Sequence, residues 1–149
     1  MRKSYLRAGD PIAEAYQTWR RFNLAPYHSP NHGERFDNLY GSVEADDYGK
    51  FENLSPLPDG AIIIKDSFSV TRNGDLRSGP LFMMKKMPAG FPSLAGTWRF
   101  TMPRGDGSLV GITDGDGAGK VRFCGECHNK AGAQHDYLYF MPREARNTR

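Results

Sequence analysis

Glycine and proline recur along this chain at short intervals, 17 glycines and 10 prolines in 149 residues. Glycine loses the most backbone freedom on folding, and proline removes a backbone donor, so both interrupt long regular elements. Few stretches between them are long enough for the helices of a bundle. Short strands joined by turns are the architecture such punctuation permits. No internal repeat, low-complexity tract or linker divides the chain, and one domain over residues 1–149 is expected.

One segment escapes the punctuation. DPIAEAYQTWRRFN (10–23) predicts a helix, with Asp10 as cap, Pro11 at the first helical position, and Ile12, Ala15, Tyr16, Trp19 and Phe22 on one face. PYHSPNHG (26–33) reads as a loop. SVEADDYGKFEN (42–53) reads as a weaker second helix capped by Ser42, with acidic residues in its first turn. After LPDG the pattern changes to β-branched and apolar runs: AIIIKDSFSVT (61–71), PLFMMKKM (80–87), GTWRFTM (96–102) and SLVGIT (108–113). In GTWRFTM, Trp98, Phe100 and Met102 alternate with Thr97, Arg99 and Thr101. DGDGAG (114–119) is a glycine loop, KVRF leads into the cysteines, and DYLYFMP (136–142) predicts a last strand. The expected class is α+β, dominated by β: an antiparallel sheet or sandwich behind one or two N-terminal helices.

The charge balance excludes little and favours no polymer. A net charge of +3, with Lys and Arg scattered, argues against a nucleic-acid surface. A mean hydropathy of −0.63, without any long apolar run, argues against a membrane span. MRKSYLRAGD is basic but is followed by no apolar core, so no secretory signal is expected within this chain.

The only two cysteines, Cys124 and Cys127, stand in RFCGECHNKAG with His128 directly after. A disulfide between residues three apart is awkward and leaves His128 without a role. A thioredoxin-like site also follows a strand with CxxC, but that fold needs several later elements, and only residues 128–149 follow. Structural zinc wants four ligands, and after Cys124, Cys127 and His128 the next candidate is His135. Covalent haem attachment fits best, because C-x-x-C-H is its signature. Cysteines three apart lie on one side of a helical turn and can each add to a haem vinyl group as a thioether. The next residue then offers its imidazole to the iron. The motif is therefore expected on a short helical turn. Met141 is the one methionine after it, while Met83, Met84, Met87 and Met102 lie upstream; methionines in strands are more often core than ligands. With no sixth ligand designated, the iron is expected to be five-coordinate and open to a small molecule.

These residues resemble the cytochrome P-460 family, which includes the cytochromes c′-beta. The resemblance runs through HGERFDNLY (32–40), LPDGAIIIKDSFSV (57–70), GPLFMMKKM (79–87), GTWRF (96–100), FCGECH (123–128) and DYLYFMP (136–142). It implies a β-rich, exported, periplasmic, homodimeric protein carrying one haem c, with His128 as proximal ligand. It implies action on small nitrogen compounds: oxidation of hydroxylamine to nitric oxide or nitrous oxide with a redox partner cytochrome, or, alternatively, non-catalytic binding of nitric oxide. Lys65, in IIIKDSF, matches the lysine that the hydroxylamine oxidisers bond to the haem macrocycle. On residue chemistry alone Lys65 also reads as a strand-end lysine reaching solvent or pairing with Asp66. Hydroxylamine oxidation would need a distal base, for which Asp66, Asp114 and Asp116 are candidates. Nitric oxide binding would crowd the site with phenylalanine, from Phe68, Phe82 and Phe100. The ordinary alternatives are solvated turn aspartates and core aromatics. A plain electron carrier with a methionine or lysine as sixth ligand is a third possibility.

Weaker signals carry less. DGDGAG opens like a calcium loop, but Gly125 stands where a bidentate glutamate belongs. RGD at 104–106 suits a hairpin turn. His28, His32 and His135 are candidate ligands or proton shuttles, and a hydrogen-bonded loop histidine is the ordinary reading of each.

Overall fold

The computed structural model describes Tyr5 and residues 9–149. A single antiparallel sheet of seven strands organises them: β1 (Arg20–Arg21), β2 (Tyr27–Ser29), β3 (Arg35–Gly41), β4 (Ile62–Val70), β5 (Leu76–Lys86), β6 (Trp98–Pro103) and β7 (Leu109–Ile112). The order across the sheet is β1-β3-β4-β5-β6-β7, with β2 also pairing β3. The protein is thus β-dominated, with one sheet and, among the described residues, no second sheet stacked on it to make a sandwich.

The helical expectations change most. The N-terminal helix α1 covers only Pro11–Ala15, with Asp10 Oδ1 accepting from the Ile12 amide at 2.8 Å. A 3-10 turn follows at Tyr16–Thr18, Trp19 is extended, and Arg20–Arg21 pair with β3. The single apolar face proposed for 10–23 is therefore split: Tyr16 packs with Tyr5 and Ala13, whereas Phe22 joins the other core cluster. Residues Val43–Asn53 form 3-10 rather than α-helix, broken at Phe51 by a positive φ of 50°. Ser42 does not cap it; its hydroxyl accepts instead from the Ile62 amide. DYLYFMP is not a strand. Asp136 and Tyr137 both adopt left-handed backbone, with φ of 51° and 59°, and turn the chain across the sheet. Strands β2 and β3 lie where the alternation Arg35, Asp37, Leu39 is too polar to announce a strand.

The β3–β4 register is regular: Leu39 opposes Lys65 and Asp37 opposes Ser67. On β5, Gly79 and Pro80 together face Ser67, a bulge that lets a proline without a donor sit inside the sheet. Directly opposed residues share a face. One face therefore carries Asp37, Leu39, Ile63, Lys65, Phe82, Met84 and Phe100, and the other carries Asn38, Tyr40, Ile64, Asp66 and Leu81. The first face is covered by Trp98, Tyr48, Phe51, Leu138 and Met141, the second by Tyr5, Ala13 and Tyr16.

After β7 the chain enters helix α2, Ala118–Asn129, three turns long rather than one, and KVRF belongs to it. Gly117 starts it with a φ of 69°, and a side chain there would strike the Val110 carbonyl at 2.3 Å. No helix among the described residues is long and apolar enough to cross a membrane.

Candidate functional site

Helix α2 places Cys124, Cys127 and His128 on the wall of a cleft against the first face of the sheet. The cleft holds about 260 Å³, and the space between its walls, mouth included, is about 1260 Å³. Its walls are mainly apolar: Leu39, Ile63, Phe82, Phe100, Met102 and Leu138 among them.

Both cysteines are free thiols. Burial pushes the Cys124 thiol up to about 11, so it stays protonated at neutral pH. His128 Nδ1 lies 2.8 Å from the Tyr137 carbonyl oxygen. A carbonyl only accepts, so Nδ1 carries the proton and Nε2 keeps its lone pair. Burial also drives the imidazolium form down to about 4, with Lys65 and His32 opposing a further positive charge. The ring is a neutral ligand at physiological pH. The left-handed turn at Asp136–Tyr137 supplies that carbonyl, and it is firmly held. Asp136 Oδ2 accepts from the Leu57 amide at 2.9 Å, its Oδ1 accepts from Lys86 Nζ, and its carbonyl accepts from Trp98 Nε1 at 2.8 Å. Gly96, with a φ of 58°, lets the Tyr137 ring approach; a side chain there would meet it at 2.7 Å. Strained backbone is thus spent orienting one histidine.

Lys65 enters the cleft from the middle of β4, not from a strand end. Its Nζ lies 6.0 Å from the Tyr27 ring centroid and forms no ion pair or hydrogen bond among the described residues. Burial lowers its proton affinity, opposed by Asp37 and Cys127. Pairing with Asp66 does not occur, because adjacent strand residues point to opposite faces.

The remaining sequence candidates separate cleanly. Phe82 and Phe100 line the cleft. Phe68 does not; it stacks on Phe36 at 5.6 Å on the far face. Asp66 is buried on that far face, accepting from Asn38 Nδ2 at 3.0 Å and Tyr16 Oη at 3.1 Å. Asp114 lies 3.8 Å from Arg99 and, like Asp116, sits in the turn before α2, outside the cleft. No aspartate proposed as distal base reaches it. His135 packs on Phe140 at 5.3 Å and stays outside, so it completes no zinc site. No group of three or more His, Cys, Asp or Glu side chains converges as metal ligands among the described residues.

No sequence signal singles out Tyr27 in the cleft or Asp37 behind it. Tyr27 Oη is buried without a hydrogen-bond partner among the described residues. His32, by sequence a candidate ligand or proton shuttle as well as a loop histidine, lines the cleft, and Asp37 lies behind it at 3.4 Å. The two histidines of PYHSPNHG were the available signal, but nothing local shows that this loop folds over β4. In comparisons with known proteins, no family model matches the chain and no curated protein matches it.

Proposed function

We propose that the protein is an exported mono-haem c-type cytochrome, resembling the cytochrome P-460 family, that oxidises hydroxylamine at an open iron. The observation carrying this reading is the convergence of Cys124, Cys127, His128 and Lys65 on one mainly apolar cleft.

The residues present fit the group. Two free thiols three apart on a helix flank an imidazole whose Nε2 is unprotonated and whose other nitrogen is anchored. Tyr27 Oη is an orphaned buried donor that a cleft occupant can satisfy. Cys124 and Cys127 would hold the macrocycle through thioethers and His128 would take the iron. When bound, haem supplies a Lewis-acidic iron and an electron sink for a nitrogen ligand. Burial lowers the proton affinity of the Lys65 amine, and the resemblance implies a third covalent link from it to the macrocycle, which would replace one N–H and one ring C–H bond and would need a two-electron oxidant during maturation. The apolar walls exclude water, and a partner cytochrome in the periplasm would remove the electrons. A homodimer is the assembly the resemblance implies.

Phe82 and Phe100 on the cleft wall favour a second reading, a nitric oxide binder without catalysis. One preparation separates the two. The chain is exported in a host competent for cytochrome c maturation, and its denatured intact mass is expected to exceed the chain mass by one haem. Peptide mapping is expected to find Lys65 joined to haem, and the ferrous Soret band to be shifted far to the red. Free Lys65 with an ordinary high-spin spectrum would support the binder. A mass without haem would overturn both, and a low-spin spectrum with a sulfur-to-iron band would make the protein an electron carrier.

A further inference from the structure

The cleft contains a second polar arrangement that haem attachment does not use. Asp37 is fully buried on β3, and neither carboxylate oxygen has a hydrogen-bond donor among the described residues. Such a group is costly unless a positive charge is available to it. His32 lies beside it, with Nδ1 3.4 Å from Asp37 Oδ2 and 2.8 Å from Ser29 Oγ. The imidazole is held against Phe82, with ring centroids 4.5 Å apart. With the ring proton on Nδ1, where it donates to Ser29 Oγ and faces the Asp37 carboxylate, Nε2 is left as the acceptor, and this is the tautomer the assignment requires. Nε2 has no partner among the described residues, and the ring lines the cleft.

We propose that His32 is the proton acceptor of the cleft, positioned by Asp37 and Ser29. This rests on the reading of the protein as an open-iron cytochrome. A ligand that arrives with an N–H, O–H or C–H bond gives the proton to His32 Nε2, and the electron pair of that bond stays on the ligand. The Nδ1 proton remains toward Asp37, so the imidazolium is formed against the one buried carboxylate that lacks a donor. The role assigned by sequence to Asp66, Asp114 or Asp116 falls instead to a histidine.

The charged groups facing His32 set its working range. Burial lowers its proton affinity and Lys65 on β4 lowers it further, while Asp37 raises it. His128 on α2 is close enough for the two imidazoles to oppose each other's charge. His28, at the cleft wall, is occupied by Glu34 at 3.0 Å. His32 is thus held below the ordinary imidazole value and is neutral and ready to accept a proton at physiological pH.

The test uses ferric holoprotein and hydrogen cyanide, which binds iron as the anion and must lose its proton. Calorimetry in buffers of differing ionisation enthalpy counts the protons reaching solvent. The wild type is expected to release less than a full proton, with a shortfall that grows as pH falls toward the range of the His32 imidazole, and His32→Gln to release a full proton per haem throughout. His135→Gln, outside the cleft, should match the wild type. Asp37→Asn should shift the acid limb of the pH profile for proton retention to lower pH, since the imidazolium loses its counter-charge. With hydroxylamine, His32→Gln should slow turnover about 100-fold or more, the range of general-base catalysis. Equal proton release from wild type and His32→Gln in haem-loaded protein would overturn the assignment while leaving the cytochrome reading intact. Purified protein without haem would overturn that reading and the assignment with it.

Discussion

Lys65 and Asp66 are neighbours on β4, both ionisable and both taken largely out of water, yet their surroundings are opposite. Asp66 points to the face covered by the N-terminal segment, and its two oxygens each accept a hydrogen bond, from Asn38 and from Tyr16. Asn38 is itself fixed by Asn23, whose side chain also accepts from the Leu39 amide. Lys65 points to the cleft, where the nearest carboxylate is Asp37 and no hydrogen bond is made among the described residues. A buried charge that is fully partnered specifies a structure; one left unpartnered in a cleft marks a place where chemistry is to occur. The pleat alone separates the two roles, by a single residue.

The comparison is broken most severely on the satisfied side. Asp66→Ala leaves Tyr16 Oη and Asn38 Nδ2 without their acceptor in the interior, and each such orphan carries a desolvation penalty. Urea unfolding should show a loss of about 2–4 kcal/mol with an unchanged slope. On the other side, Lys65→Met removes an amine that nothing holds and keeps the apolar stem. Its unfolding free energy should stay within about 1 kcal/mol of the wild type at matched haem content, because replacing a poorly paired buried charge by an apolar group is close to neutral. Under the proposed function, the same variant should lack the red-shifted spectrum and the hydroxylamine turnover expected of the haem-loaded wild type. His32, freed of Lys65's opposing charge, should titrate at higher pH. A large stability loss for Lys65→Met with retained turnover would reverse the two roles.

The same pair shows what could be read in advance. Period-two alternation suffices to put Lys65 and Asp66 on opposite faces, and the C-x-x-C-H spacing to bring Cys124, Cys127 and His128 together, since both are local consequences of backbone geometry. The β4, β5 and β6 runs announce themselves by β-branched and aromatic content. Strand β3 does not, because Asp37 and Asn38 interrupt its apolar pattern for reasons that lie outside the strand, in His32, Asn23 and Asp66. The C-terminal segment misleads for a related reason. DYLYFMP has strand composition, but Asp136 is drawn into bonds with Leu57, Lys86 and Trp98, and tertiary demand overrides propensity. Which face the cleft occupies, and hence that His32 rather than an aspartate reaches it, depends on where β2 and its loop fold over the sheet. No periodicity encodes that.

The finest test of the comparison is the pH dependence of stability. Burial raises the Asp66 carboxyl above its ordinary value of 3.8, against the lowering effect of its bonds from Asn38 and Tyr16. The folded state therefore keeps this proton to higher pH than the unfolded chain does. Below about pH 4 both states are protonated and the site is neutral in effect; as pH rises through the folded value, stability is lost, with a slope of at most about 1.4 kcal/mol per pH unit. Glu52 acts in the opposite sense, because Arg146 holds it down to about 2 and its contribution is lost only as pH falls. Asp66→Asn isolates the first effect, since both proteins share Glu52. An asparagine amide can accept from Asn38 through its oxygen and donate to Tyr16 Oη through its nitrogen, keeping the network without the charge. The stability of the variant minus that of the wild type, measured by urea unfolding from pH 4 to pH 8, should grow as pH rises and then level off. A flat difference would mean that Asp66 ionises as easily inside the fold as outside it, and that its hydrogen bonds fully offset its burial.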